Sequence, residues 1–182
     1  MDSYKGIGLY NAKRDLAWLP IPKNSTTTLN TVLDQHGFEP IRLCDNPKFW
    51  FSVFREPLER WFSGIAQYYS GTNVPPWDQP NVKIFPGPNE AFDKLELDFH
   101  SRLQVSFLDR QIDKFFIGDD IDLQVQDWLE VDPIKVRLNE TVKKKSNYIV
   151  IELRKYFDSR SDRVLDYLAP DYAIWRKLNE RS

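Results

Sequence analysis

Apolar and polar positions alternate along this chain in blocks of strand and helix length. Residues 16–21, LAWLPI, form a short apolar run that stops at Pro22, as a strand buried in a parallel sheet would. From Asn24 to Gly37 the period changes. Hydroxyl residues open the segment, Leu29, Val32 and Leu33 recur at helical spacing, and His36-Gly37 closes it, which predicts a helix with a polar N-cap and a glycine C-cap. A second apolar run, Phe49 to Phe54, lies between Pro47 and Arg55-Glu56-Pro57. Pro57 suits the first turn of a helix, and Leu58, Trp61, Phe62, Ile65 and Tyr69 mark one face of it. The β-α-β-α order predicts an α/β fold with a parallel sheet and right-handed crossovers.

Residues 71–89, GTNVPPWDQPNVKIFPGPN, hold five of the chain's twelve prolines, a density that predicts a long ordered loop or a lid. Residues 90–112 read as mostly helical. Lys114 to Ile117 reads as a third strand closed by Gly118, Ile121 to Leu129 as a helix, and Ile134 to Leu138 as a short extended piece. From Ser146 onward helical periodicity breaks near Ser159 and at Pro170, giving two or three terminal helices. With no repeat, low-complexity tract or compositional boundary, residues 1–182 read as one domain with a helical C-terminal part.

Composition narrows the chemistry. Twelve Phe, eight Tyr and six Trp exclude a disordered chain, and 25 basic against 27 acidic residues leave a formal charge of −2. That balance offers no global field for nucleic acid, so any anion site is local. Cys44 is the sole cysteine, which excludes an intrachain disulfide and a thiolate zinc site, and with only His36 and His100 besides, no metal centre is expected. The stretch MDSYKGIGLYNAKRD lacks a signal-peptide apolar core, and no run approaches the ~20 apolar residues of a spanning helix. A soluble, cytoplasmic protein with no membrane partner is the expectation.

Two segments carry the candidate chemistry. In PIPKNSTTTL, residues 20–29, a strand delivers the chain through a turn into a helix start, where unpaired N–H groups await an anion. Lys23 stands at the strand exit, and Ser25, Thr26 and Thr27 add hydroxyl donors. The same hydroxyls also read as an ordinary helix N-cap. The Walker pattern is absent, because there is no glycine and the lysine precedes the turn. FREPLERWFSGI, residues 54–65, repeats the order of apolar run, turn and helix, with Arg55 at the strand exit and Ser63 eight residues on. The arginine fork holds two phosphate oxygens at once. A surface Arg-Glu pair beside an amphipathic helix would explain the charges, though not the order of both motifs.

The first segment resembles the 5′-phosphosulfate motif of sulfotransferases, P-K-S-G-T-T, with Pro22, Lys23, Thr26 and Thr27 matching and Ser25 in place of the glycine. The second resembles the 3′-phosphate motif of the same superfamily, with Arg55 and Ser63 as its arginine and serine. Weaker similarity continues through DFHSRLQVSFL at 98–108, KFFIGDDIDLQVQDWL at 114–129, LNETVKKK at 138–145 and YLAPDYAIWRKL at 167–178. The resemblance, closest to carbohydrate sulfotransferases, implies a P-loop-NTPase-like parallel sheet flanked by helices. It further implies 3′-phosphoadenosine 5′-phosphosulfate (PAPS) as cosubstrate without a metal, and a small-molecule or saccharide hydroxyl as acceptor. Since the anchored animal members carry a membrane segment, it points to a bacterial or viral cytoplasmic origin.

On this reading Pro22, Lys23, Asn24, Ser25, Thr26, Thr27, Thr28, Arg55 and Ser63 hold the nucleotide, and Lys23 also bridges the leaving phosphate and the group in transfer. His100, in the segment similar to the family's histidine stretch, is the candidate base. A polar residue on a helix surface is the plain alternative. His36 suits a helix C-terminus, Glu56 and Glu59 are reserve bases, and one of Lys143, Lys144 and Lys145 stands near the 3′-phosphate. Trp77, Phe85, Tyr68 and Tyr69 offer stacking surfaces. Two competing functions stay open: a small P-loop kinase, which should carry Gly-Lys-Ser/Thr, and a noncatalytic nucleotide-binding protein.

Overall fold

The computed structural model describes residues 8–42, 44–70, 88–118, 120–133 and 140–180, with side chains in the helix from 140 described from residue 147 on. Strands β1 (Leu9–Asn11), β2 (Leu16–Leu19), β3 (Glu39–Pro40), β4 (Phe49–Val53) and β5 (Lys114–Phe116) form one sheet in the order β3-β1-β2-β4-β5. The helices are α1 (Thr26–Gln35), α2 (Pro57–Ser70), α3 (Asn89–Lys94), α4 (Ile121–Trp128), α5 (Glu140–Phe157) and α6 (Ser161–Asn179). The chain is thus α/β. The sheet is mixed rather than wholly parallel: β2, β4 and β5 run parallel, while β1 pairs antiparallel with β2 and with β3.

Contacts group the chain into two compact units, one of Met1–Glu56, Gln104–Leu138 and Trp175–Ser182, the other of Pro57–Leu103 and Asn139–Ile174. The first unit holds the sheet. Its register explains its core, because Leu16 lies opposite Phe49, Trp18 opposite Phe51, and Val53 opposite Phe116, so one face of the pleat is continuously apolar. Leu29 and Leu33 of α1 and Ile121, Val125 and Leu129 join that core. Phe51 sits at its centre, edge-on to Phe38, Phe116 and Trp128, and its full burial stabilises the fold by about 1.5–3 kcal/mol. Helix α1 ends as its His-Gly pair predicts. His36 is the C-cap, Gly37 takes φ 76°, and the N–H groups of Phe38 and Gly37 donate to the carbonyls of Leu33 and Asp34.

The second unit is helical. Helix α2 supplies Trp61, Phe62, Ile65, Ala66 and Tyr69 to a core shared with Phe92 of α3, Ile149 and Leu153 of α5, and Val164 and Leu168 of α6. Trp61 Nε1 donates to the Leu95 carbonyl at 2.7 Å, Tyr69 Oη to Glu90 at 2.6 Å, and Arg154 grips Glu59 while its guanidinium lies 5.2 Å from the Phe62 ring centre. Gly64 faces the chain at 100–101 so closely that a Cβ there would stand 2.1 Å from the His100 carbonyl oxygen.

Two sequence expectations fail for physical reasons. Residues 90–112 are not mostly helical: α3 stops at Lys94, Leu95 takes φ 61°, and a 3-10 turn at Gln104–Phe107 is the next regular element. Between them Asp98 and Ser101 capture the backbone locally. The Asp98 carboxylate accepts from the His100 N–H at 2.8 Å, and Ser101 Oγ accepts from the Leu97 N–H at 2.9 Å. Pro170 does not end a helix. Helix α6 runs through it, with Leu168 and Tyr172 packed in the second core on either side. The break near Ser159 is present, between α5 and α6. The expected extended piece at 134–138 lies outside the described residues.

Candidate functional site

Strands β2 and β4 are parallel neighbours, so their carboxyl ends open on the same edge of the sheet, the edge where α/β sheets bind ligands. Lys23 follows β2 and Arg55 follows β4. After β2, Pro20 and Pro22 restrict the backbone, and the Ile21 carbonyl accepts from the Asn24 N–H at 3.2 Å and from Thr26 Oγ1 at 2.9 Å. The turn so closed places Lys23 at φ 69° and Ser25 at φ 56°, ψ 20°, both left-handed. Ser25 is the N-cap residue of α1, and its carbonyl accepts from the Leu29 N–H at 2.9 Å, but its side chain makes no capping bond. The N-cap reading of these hydroxyls therefore does not describe the turn. Nor does Thr26 offer a hydroxyl donor, because its proton is committed to Ile21. Ser25 and Thr27 are exposed, Lys23 and Thr28 half-buried, and Pro22 buried.

The left-handed Ser25 stands where the resembling motif has glycine, which gives a test of the backbone. A side chain at such φ costs roughly 1–2 kcal/mol, offset in part by the ~0.5–1 kcal/mol that glycine's freedom removes. Ser25→Gly is expected to be neutral or to stabilise by a few tenths of a kcal/mol, and Ser25→Val to destabilise by about 1–2 kcal/mol, read from urea unfolding.

Arg55 adjoins this turn. Its guanidinium Nη1 donates to the Lys23 carbonyl at 3.2 Å. Asn24, 1% exposed, donates through Nδ2 to the Val53 carbonyl and to Gln104 Oε1, each at 2.7 Å. Gln104 in turn holds Arg55 by its backbone, accepting from the Arg55 N–H at 3.0 Å and donating to the Arg55 carbonyl at 2.9 Å. One knot of hydrogen bonds thus joins the strand-exit residues of both predicted phosphate motifs, which lie in the first unit. Asn24 Oδ1 is buried there without a hydrogen-bond partner among the described residues.

Ser63 and His100 belong to the second unit. Ser63 is half-buried on α2, next to the glycine that admits the His100 backbone. His100 is not a surface residue: it is 8% exposed, its ring centre is 3.8 Å from that of Phe99, and its Nδ1 meets Asp98 Oδ2 at 2.9 Å. Because a carboxylate only accepts, the Asp98 bond places the neutral ring's proton on Nδ1 and its lone pair on Nε2, the form a general base requires. Sequence reasoning missed both orienting residues. A D-x-H spacing was the available sign for Asp98, and nothing around Gln104 marked it.

The remaining candidates divide. His36 caps α1 as expected, receiving Asn11 Nδ2 on its carbonyl at 3.1 Å. Glu59 is held by Arg154, and Glu56 is half-buried. Tyr68 meets Tyr69 edge-on, and burial beside Glu90 pushes the Tyr69 hydroxyl pKa far up. Trp77, Phe85 and the side chains of Lys143, Lys144 and Lys145 lie outside the described residues. A cleft of about 350 Å³ lined by Tyr10, Lys13, His36, Glu39 and Arg42 opens at the C-terminal end of α1. It lies away from Lys23, which precedes the opposite end of that ten-residue helix, roughly 15 Å along the axis at 1.5 Å per residue. Among the described residues no helix is long and apolar enough to cross a membrane. No protein-family model, curated protein or solved structure matches the chain.

Proposed function

We propose that this chain is a PAPS-dependent sulfotransferase with a P-loop-like nucleotide site, transferring a sulfuryl group to a hydroxyl of a small molecule or saccharide. The observation that carries the reading is the contact of Arg55 with the Lys23 carbonyl at 3.2 Å, because it brings together the two motifs that the resemblance assigns to opposite ends of one nucleotide. In the reaction the acceptor oxygen forms a bond to sulfur as the sulfur–oxygen bond to the 5′-phosphate breaks, releasing adenosine 3′,5′-bisphosphate. Such a loose, in-line displacement depends on positioning and on neutralising the leaving phosphate. Lys23 and the N–H groups of α1 supply positive charge at that oxygen, and Arg55 takes the 3′-phosphate, to which the resemblance adds Ser63. The resemblance names His100 as the base that takes the acceptor's proton, with Asp98 bonded to its ring at 2.9 Å.

Thermal-shift measurements with adenosine 3′,5′-bisphosphate, ATP with magnesium, and AMP test the assignment. The bisphosphate is expected to raise Tm markedly over AMP and ATP, since a ligand at 100 times its Kd adds about 2.7 kcal/mol. An equal response to ATP with magnesium would favour a kinase. Bisphosphate binding without sulfation of any hydroxyl in a saccharide and phenol panel would leave a noncatalytic nucleotide-binding protein.

A further inference from the structure

We infer that Gln104 is the positioning residue that fixes the spacing of the two phosphate grips, and that it thereby selects a nucleotide phosphorylated at both ends of its ribose over one phosphorylated at a single end. The inference rests on the nucleotide-binding reading above.

The β4–β5 pairing ends where the Phe54 N–H donates to the Phe116 carbonyl at 3.0 Å, so Arg55 is the first residue beyond the ladder. There the side-chain amide of Gln104, fully buried, takes the place of a neighbouring strand by bonding both the N–H and the carbonyl of Arg55. The same Oε1 accepts from Asn24 Nδ2, which ties in the residue directly after Lys23. One planar group therefore sets the backbone positions from which Lys23 and Arg55 reach out, without its own side chain being exposed to a ligand.

Two grips held at a fixed separation engage both ends of a ligand with little further ordering, whereas loosened grips each bind singly but pay entropy to bind together. Removing the Gln104 amide should leave monophosphate binding nearly intact and erode the advantage of the bisphosphate.

The test is calorimetric titration of the full chain, as wild type, Gln104→Met and Gln104→Glu, with adenosine 3′,5′-bisphosphate, adenosine 5′-monophosphate and adenosine 3′-monophosphate. Wild type is expected to prefer the bisphosphate by about 100-fold or more, the range of two linked contacts. Gln104→Met is expected to lower that preference about tenfold while changing each monophosphate by less than about threefold. Gln104→Glu should lose preference when ionised and regain it, relative to wild type at the same pH, under mild acid. A buried carboxyl protonates readily there and restores the donor to the Arg55 carbonyl. The pH recovery decides the matter within a single folded variant if the methionine form does not fold. Equal weakening of all three ligands, or an undiminished preference in both variants, overturns the role of Gln104 while the nucleotide site stands. No binding of any of the three by wild type overturns both.

Discussion

Gly64→Ala is expected to destabilise the protein by about 3 kcal/mol or more, at the upper end of what one added methyl does in a packed interior. Two effects oppose each other. Alanine is the better helix former by ~0.8–1.0 kcal/mol, which favours the variant. Against this, the new Cβ would stand 2.1 Å from the His100 carbonyl oxygen and 2.9 Å from the Ser101 nitrogen, both main-chain atoms that no rotamer change can move aside. The steric effect wins, because either α2 or the 98–101 turn must shift, and that turn is tied together by hydrogen bonds around Asp98 and Ser101. Thermal unfolding followed by circular dichroism should show a fall in Tm of roughly 6–12 °C for a chain of this length. An unchanged or higher Tm would mean that α2 does not lie against the His100 backbone.

If the chain is the proposed sulfotransferase, Lys23→Ala is expected to slow sulfuryl transfer ~10²–10³-fold, the usual effect of removing one transition-state charge contact. The fold should be nearly indifferent to it. Lys23 is half-buried, its left-handed φ of 69° is as costly for alanine as for lysine, and the backbone carbonyl that accepts from Arg55 is retained by alanine. A drop in rate beyond tenfold with Tm unchanged would locate the defect in chemistry. Comparable activity in the variant would remove Lys23 from the reaction. Arg55→Lys, which keeps the charge but loses the planar fork, is expected to weaken bisphosphate binding ~10-fold, as a charge-assisted hydrogen bond of about 1.5–3 kcal/mol is partly lost.

What the sequence made legible follows from locality. The three parallel strands and helices α1, α2 and α4 were readable because each is a continuous apolar or periodic run closed by proline or glycine, as at Pro47, Pro57 and Gly118. Strands β1 and β3 were not, being three and two residues long, with their pairing fixed by partners elsewhere in the chain and Glu39 and Pro40 exposed. The misread helix at 90–112 shows the opposite failure. The expected helical run is interrupted where Asp98 and Ser101 capture the backbone with side-chain hydrogen bonds. In the site, Lys23 and Arg55 were visible as cations at strand exits. Gln104 was not, because its importance lies in reaching across 49 residues to Arg55 and 80 to Asn24, and no spacing rule encodes that.

Calorimetric titration of the wild-type chain and of Lys23→Ala and Arg55→Ala with adenosine 3′,5′-bisphosphate, in the absence of divalent metal, tests the central claim most directly. The account predicts one molecule bound per chain, with each substitution weakening it roughly 10- to 100-fold. Absence of binding by wild type, or binding that both substitutions leave unaltered, would contradict it.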